Sequence, residues 1–395
     1  MPALKPFRAW RYAADLSVVT APPYDVLSST DAASYRALSP QNIVHIDLPD
    51  PTPDGYIAAA TTLRAWMDDG VLIRDTAPSL TLYRLIFADA KGTSRQITGV
   101  IGALLVTDYD AGPVLPHEHV TAKASTDRLD LTRATQANLS PIWGLSLARG
   151  LATEVGGVWD AATASGSVPR ELLADGVTHQ VLPIDDQTMI SAINSLLAPA
   201  DVLIADGHHR YGVAQRYRDE VQACTDAPAA FTMAFINELV DEQLSVEAIH
   251  RVYDGVPFDT LHAALAVDFD LAPAPMPSPA LLAQMTDLKR LVLLSPDGQA
   301  TWLTPRPGAF DGLRGLDGLW LEHTLAGIPG LSVTYQHALD DVISEMPHHS
   351  GAVLIRPTSI DEIRRTATEG LLMPPKSTFF TPKLRTGLVV RTLDE

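Results

Sequence analysis

The segment Asp201-Val202-Leu203-Ile204-Ala205-Asp206-Gly207-His208-His209-Arg210-Tyr211 leaves the backbone few options. Its apolar run, Val202–Ala205, suits a strand buried on both faces. The Asp-Gly pair that follows demands a tight turn, and His209–Val221 reads as a helix starting at once. A helix that opens this way presents its first backbone amides, and the positive end of its dipole, to whatever lies ahead of it. That is an anion site. Arg210 adds a bidentate partner for phosphate or carboxylate, and His208 and His209 can bond or transfer protons. Asp206 can hold a metal ion or orient a histidine. The structural alternative has Asp206 capping the helix while the histidines satisfy buried carbonyls.

Charge and composition narrow the function. Forty-seven acidic residues against 29 basic ones leave a net charge of −18. Such a surface repels a phosphate backbone, so nucleic acid is not expected as a partner. A hydrophobic fraction of 46% supports real cores, and 395 residues suggest two or three domains. No signal peptide is apparent in MPALKPFRAWRYAADLS, and the longest apolar stretch, Thr98–Thr107, is too short to span a bilayer. A single cysteine, Cys224, allows no internal disulfide and no cysteine-based zinc cluster. A cytoplasmic protein without membrane partners is expected.

Hairpins and helices alternate irregularly along the chain, which predicts an α+β (mixed α/β) fold. Strands are predicted at Ser17–Thr20 and Ile43–Leu48, a helix over Tyr56–Met67 closed by Gly70, and a hairpin from Leu80–Phe87 and Gln96–Val106. Helical spacing recurs over Leu129–Ala137 and Met189–Leu197. Phe269–Ala280 reads as a linker, followed by a hairpin at Arg290–Leu294 and Thr301–Thr304 and a capped helix opening at Ser359. The expected regions are 1–150, 151–260 and 261–395.

Four further stretches can carry chemistry. In Leu115-Pro116-His117-Glu118-His119-Val120 a strand would set His117 and His119 on one face and Glu118 on the other, a metal pair beside a general base. An edge strand with ordinary polar residues has the same pattern. Arg128 and Arg133, with Asn138 and Ser140, can neutralise or hydrogen-bond a ligand, or else form charge pairs on a surface helix. Ala21-Pro22-Pro23-Tyr24-Asp25 fixes an aromatic ring and a carboxylate on a stiff turn. The prolines of Met373–Gly387 deny it a helix, so it lies extended, either over a site where Lys376 meets an anion or as a structural closure.

These stretches together resemble a known family. APPYDV at 21–26, NIVHIDLP at 42–49, LPHEHV at 115–120, DRLDLTRATQANLSPI at 127–142, IADGHHRY at 204–211, IHRV at 249–252 and MPPKSTFFTPKLRTGLV at 373–389 look like domain of unknown function 1015. The DGHHR turn is also similar to the phosphate-binding turn of the ParB/sulfiredoxin superfamily, whose members include CTP-binding partition proteins, ATP-using sulfiredoxins and kinases of free L-serine. That resemblance implies a ParB/sulfiredoxin-like core with α/β elaborations, and phosphate contacts at Gly207, His209 and Arg210. Sulfiredoxin chemistry lacks its cysteine here, and partition function lacks a basic DNA-binding module.

The leading expectation is a nucleotide-dependent phosphotransferase, a small-molecule kinase acting on a hydroxyl amino acid such as serine. Gly207, His208, His209, Arg210, Arg128 and Lys376 would cradle phosphate, with Asp206 helping to hold Mg²⁺ and Glu118 as base. His208 and Asp206 stand beside Glu118 as catalytic candidates, and ATP or ADP as donor. The alternatives are a metal-dependent hydrolase built on His117, His119, Asp206 and His208, and a non-catalytic nucleotide sensor.

Overall fold

A computed structural model describes residues 4–89, 92–109, 112–116, 124–374 and 376–394. It divides into two compact units, one of residues 1–244 with 382–395, the other of 245–381. These limits differ from the expected divisions at 150 and 260. Strands from both sides of residue 150 share one sheet, and the last 14 residues of the chain return to the first unit.

The first unit is built on a mixed nine-stranded sheet. Its order is Val114–Leu115, Val202–Asp206, Ile142–Ser146, Phe231–Glu238, Ser94–Leu105, Leu80–Ala88, Val177–Ile184 and Arg170–Ala174, with Leu4–Lys5 also paired to Ser94–Leu105. The predicted hairpin is present: Leu80–Ala88 and Ser94–Leu105 pair antiparallel. The predicted buried strand is Val202–Asp206, whose first three residues are fully enclosed. Helix Leu151–Ala164 and helix Gln187–Leu197 cover the sheet through Leu151, Val155, Ile190 and Ile193. Helix Pro53–Asp68 matches its predicted stripe, and Gly70 follows in the left-handed region at φ +72°.

Two predicted strands are short helices. Leu16–Val19 is helical because Asp15 accepts the Ser17 amide and Thr20 Oγ1 bonds back to the Leu16 carbonyl. Val44–Asp47 is helical because the Asn42 side chain accepts the Val44 amide at 3.1 Å. In both, a side chain at the start of the turn outweighs the strand preference of Val and Ile.

The second unit holds a six-stranded sheet ordered Phe269–Pro273, Ala300–Pro305, Leu291–Leu294, Gly351–Leu354, His250–Asp254 and Ser332–Gln336. One face buries Leu261, Leu265, Phe269 and Val353, the other Leu281, Met285, Val292 and Trp302. The predicted linker is ordered structure here. Phe269–Pro273 is an edge strand paired with Ala300–Pro305, and Pro279 opens helix Pro279–Leu288 behind the Ser278 cap. Pro273 sits on the edge strand and Pro279 in the first helical turn, where a missing N–H costs little, and Pro275 and Pro277 lie in the short connection between them. The α+β class stands. No helix among the described residues is long and apolar enough to cross a membrane.

Candidate functional site

The site is built where the buried strand of the first unit ends. Ile204 pairs with Gly144 and Asp206 with Trp143, so one residue is bulged out and the strand bends as it reaches Asp206. Gly207 follows at φ +88°, a conformation that suits glycine, and helix His208–Glu220 begins with no side-chain cap. A Cβ on Gly207 would lie 3.1 Å from the Arg210 guanidinium and 3.2 Å from Ile142 Cγ2. The glycine therefore permits both the turn and the folding back of Arg210 over it.

Arg210 is a clamp. Nη2 donates to Asp206 Oδ2 at 2.6 Å, and Nη1 donates to the Pro141 carbonyl, just ahead of strand Ile142–Ser146. Its buried Nε has no acceptor among the described residues. Asp206 Oδ1 accepts from Lys383 Nζ at 2.8 Å, so both carboxylate oxygens are engaged by cations. Burial would raise the Asp206 carboxyl, but Lys383 and Arg210, with a smaller share from His208, hold it far below the usual range. It remains a carboxylate throughout the physiological range and cannot serve as a general acid. Each oxygen already accepts from one cation, so a magnesium ion there would have to share the carboxylate with Lys383 and Arg210. Tyr211 anchors the first turn from the other side, its buried hydroxyl accepting the Thr107 amide at 2.8 Å and donating to the Thr107 carbonyl at 3.0 Å.

A second cluster adjoins Arg210. Arg128, on helix Ala124–Thr135, is buried, and its Nη1 donates to the Asp47 carbonyl at 2.6 Å and lies 3.3 Å from Asp47 Oδ1. Nε and Nη2 reach Asp127 Oδ2 at 2.9 and 2.8 Å. The Tyr24 ring, on the stiff proline turn, lies 4.1 Å beneath the guanidinium. Burial pushes the Tyr24 hydroxyl up to about 12. Asp25 Oδ2 stands 3.9 Å from Arg210 Nη2. Asp47 is only 5% exposed, and burial raises its carboxyl although Arg128 and Arg210 pull the other way.

Tyr24, Asp47, Arg128, Ser140 and Arg210 line one cavity of about 60 Å³. That is room for roughly four to six waters, the bulk of a small metabolite and far less than a nucleotide. The structure thus joins three sequence-predicted stretches, the proline turn, the Arg128 helix and the Arg210 helix. Asp47, in NIVHIDLP, and Lys383, in the C-terminal stretch, were not singled out. Their signal was the presence of a charged residue inside each stretch.

The remaining predicted residues fall elsewhere. His117, Glu118 and His119 lie outside the described residues. Lys376 belongs to the second unit, where it is exposed and its carbonyl accepts from Arg251 at 3.1 Å. The cation of that stretch that meets Asp206 is Lys383. Arg133 makes surface pairs with Glu220 and Asp130, and Asn138 Oδ1 accepts from the Met233 amide and Arg391. His208 and His209 are half-buried at the helix start. Among the described residues no three His, Cys, Asp or Glu side chains group to hold a metal ion.

Residues 4–319 match the family model described as Protein of unknown function (DUF1015). The chain belongs to this family. No curated protein matches it in sequence. Among solved structures, a free serine kinase in complex with AMP is similar at 11% identity and a TM-score of 0.38, over 72% of this chain and 88% of that one. A conserved hypothetical protein from Pyrococcus furiosus is similar at 12% identity and 0.37, over 72% and 90%. SbnI with C-terminal truncation from Staphylococcus aureus is similar at 14% and 0.37, over 72% and 84%.

Proposed function

We propose that this family member is a nucleotide-dependent phosphotransferase that phosphorylates a small hydroxyl compound, with a free hydroxyl amino acid such as serine as the acceptor class. The observation that carries the reading is the cavity shared by Asp47, Arg128 and Arg210. Phosphoryl transfer needs cations around the moving group and a base at the acceptor hydroxyl. Arg128 and Arg210 supply the cations, and the buried Arg210 Nε offers a donor that lacks an acceptor among the described residues. Asp47 is a carboxylate whose burial raises its proton affinity, which suits a base. The volume admits the reacting hydroxyl end of the acceptor or the terminal phosphate, and the nucleoside stays outside.

Asp206 takes a different part. Held ionised between Lys383 and Arg210, it sets the Arg210 fork and joins the C-terminal stretch to the phosphate turn. ATP or ADP is the donor in this reading, bound over Gly207 and the His208–Arg210 turn as in the ParB/sulfiredoxin-like turn that the sequence resembles. Glu118, which lies outside the described residues, remains a second candidate base.

The test is a screen of the full chain against ATP, ADP and CTP with a panel of hydroxyl amino acids, read by phosphorus-31 NMR. A new phosphomonoester resonance that needs both protein and acceptor is expected. Nucleotide binding without turnover across the panel would favour the sensor, and no binding at all would leave the turn as a structural clamp.

A further inference from the structure

A second groove of about 250 Å³ opens in the first unit, lined by Lys5, Arg8, Arg74 and Arg391, with Asp226 as its sole lining carboxylate. Four cations facing one acid is a local excess of three positive charges on a chain whose net charge is −18. Apolar walls complete it: Pro6, Phe7, Pro78, Ala103, Pro228 and Phe231.

Arg391 is the group that needs explaining. It is 4% exposed and donates to Asn138 Oδ1 at 3.0 Å and to the Phe231 and Pro228 carbonyls at 2.8 and 2.7 Å. Every one of these acceptors is neutral. Burial pushes the guanidinium down to about 10, so it still carries its charge at neutral pH. A buried charge is ordinarily balanced by an opposite one. Here the fold fixes the cation with three neutral bonds on the wall of a groove where three further cations face a single carboxylate, Asp226. Lys5 makes an exposed pair with Asp226 at 3.0 Å, and its ammonium lies 4.2 Å over the Phe231 ring. Arg8 Nε donates to the Asp75 carbonyl.

We propose that this groove is a binding site for a small organic oxyanion, a carboxylate or phosphate monoester whose anionic end meets Arg391, Arg8 and Arg74 and whose apolar body lies on the proline and phenylalanine walls. The volume suits a ligand of single-ring size. Planar guanidinium groups recognise either oxyanion through paired N–H donors, and a neutral analogue forfeits that attraction.

Isothermal titration of the full chain with benzoate, phenyl phosphate and benzyl alcohol tests this. One equivalent of benzoate or phenyl phosphate should bind, more weakly as salt rises, and benzyl alcohol should not. The tighter of the two anions names the headgroup. The double change Arg8→Gln/Arg74→Gln, at one exposed and one half-buried position, should weaken binding roughly tenfold or more in a protein that circular dichroism shows still folded. Arg391→Met should abolish binding, and because that variant can also unfold, the double variant keeps the test decisive. Arg306→Gln, at an exposed residue of the second unit paired with Asp270, is the control and should leave the affinity within twofold. Failure of both anions to bind at millimolar concentration would overturn the proposal. So would wild-type affinity in the double variant, or loss of binding in Arg306→Gln.

Discussion

Replacing Asp206 by Asn tests whether the phosphate turn is held by charge. The carboxylate bonds Lys383 Nζ at 2.8 Å and Arg210 Nη2 at 2.6 Å, and the three side chains are 20%, 15% and 10% exposed. Exposed ion pairs contribute about 0–1 kcal/mol. Removing one member of a fully buried pair costs roughly 3–5 kcal/mol, because the remaining charge is left uncompensated. Asp206→Asn leaves two cations facing a neutral amide at intermediate burial, so a loss of about 2–4 kcal/mol follows. In a unit of this size that lowers the melting temperature by roughly 4–10 °C. The pH dependence adds a signature. A carboxyl whose folded value lies below its unfolded value, about 3.9, stabilises the fold above that pH and loses its contribution as pH falls through it. Thermal melts followed by circular dichroism should therefore show a constant gap between wild type and variant from pH 7 to about 5, narrowing below about 4. A variant that melts within 1 °C of wild type at pH 7, or a gap that widens in acid, would refute the reasoning.

Arg210→Lys should lower both melting temperature and nucleotide affinity, since a lysine cannot span Asp206 and the Pro141 carbonyl together; urea denaturation beside a binding titration checks the pair. Removing residues 382–395 should give insoluble protein, because Leu384, Leu388, Val389 and Val390 are buried and Arg385 bonds Thr20; soluble expression of the truncated chain decides it. His179 is buried against the Tyr83 hydroxyl at 2.7 Å, and burial pushes it down to about 3, so stability is full above pH 6.5 and falls as the pH drops towards that value. His179→Gln should flatten the melting temperature between pH 6.5 and 4 relative to wild type.

The strand–turn–helix at 202–220 was legible because an apolar run, an Asp-Gly pair and a helical stretch each specify the same local geometry. The hairpins and amphipathic helices were legible for the same reason. What misled was local capping at Asp15 and Asn42, where one side chain reverses the preference of a β-branched run. The proline-rich stretch at 269–280 misled differently, since prolines at an edge strand and a first helical turn look like a linker in sequence. Within the site, Arg128 and Arg210 could be singled out as cations. Two long-range partners could not, because Asp47 lies 81 residues from Arg128 and Lys383, the donor to Asp206, lies 177 residues from it. Long-range pairing leaves no periodic trace, and so Lys376 was preferred to Lys383 with nothing local to separate them.

The central claim is that the cavity bounded by Asp47, Arg128 and Arg210 performs proton abstraction and phosphoryl transfer. Its most direct test is the turnover rate of Asp47→Asn at saturating nucleotide and acceptor, measured beside nucleotide affinity and melting temperature. Asparagine has nearly the same shape and keeps an oxygen for Arg128 but cannot take a proton. The account predicts a fall of roughly 10²–10⁴ in kcat, with nucleotide affinity within twofold. The protein is still folded at the assay temperature, although its melting temperature falls with the loss of the buried pair to Arg128. An Asp47→Asn protein that turns over at the wild-type rate would contradict it.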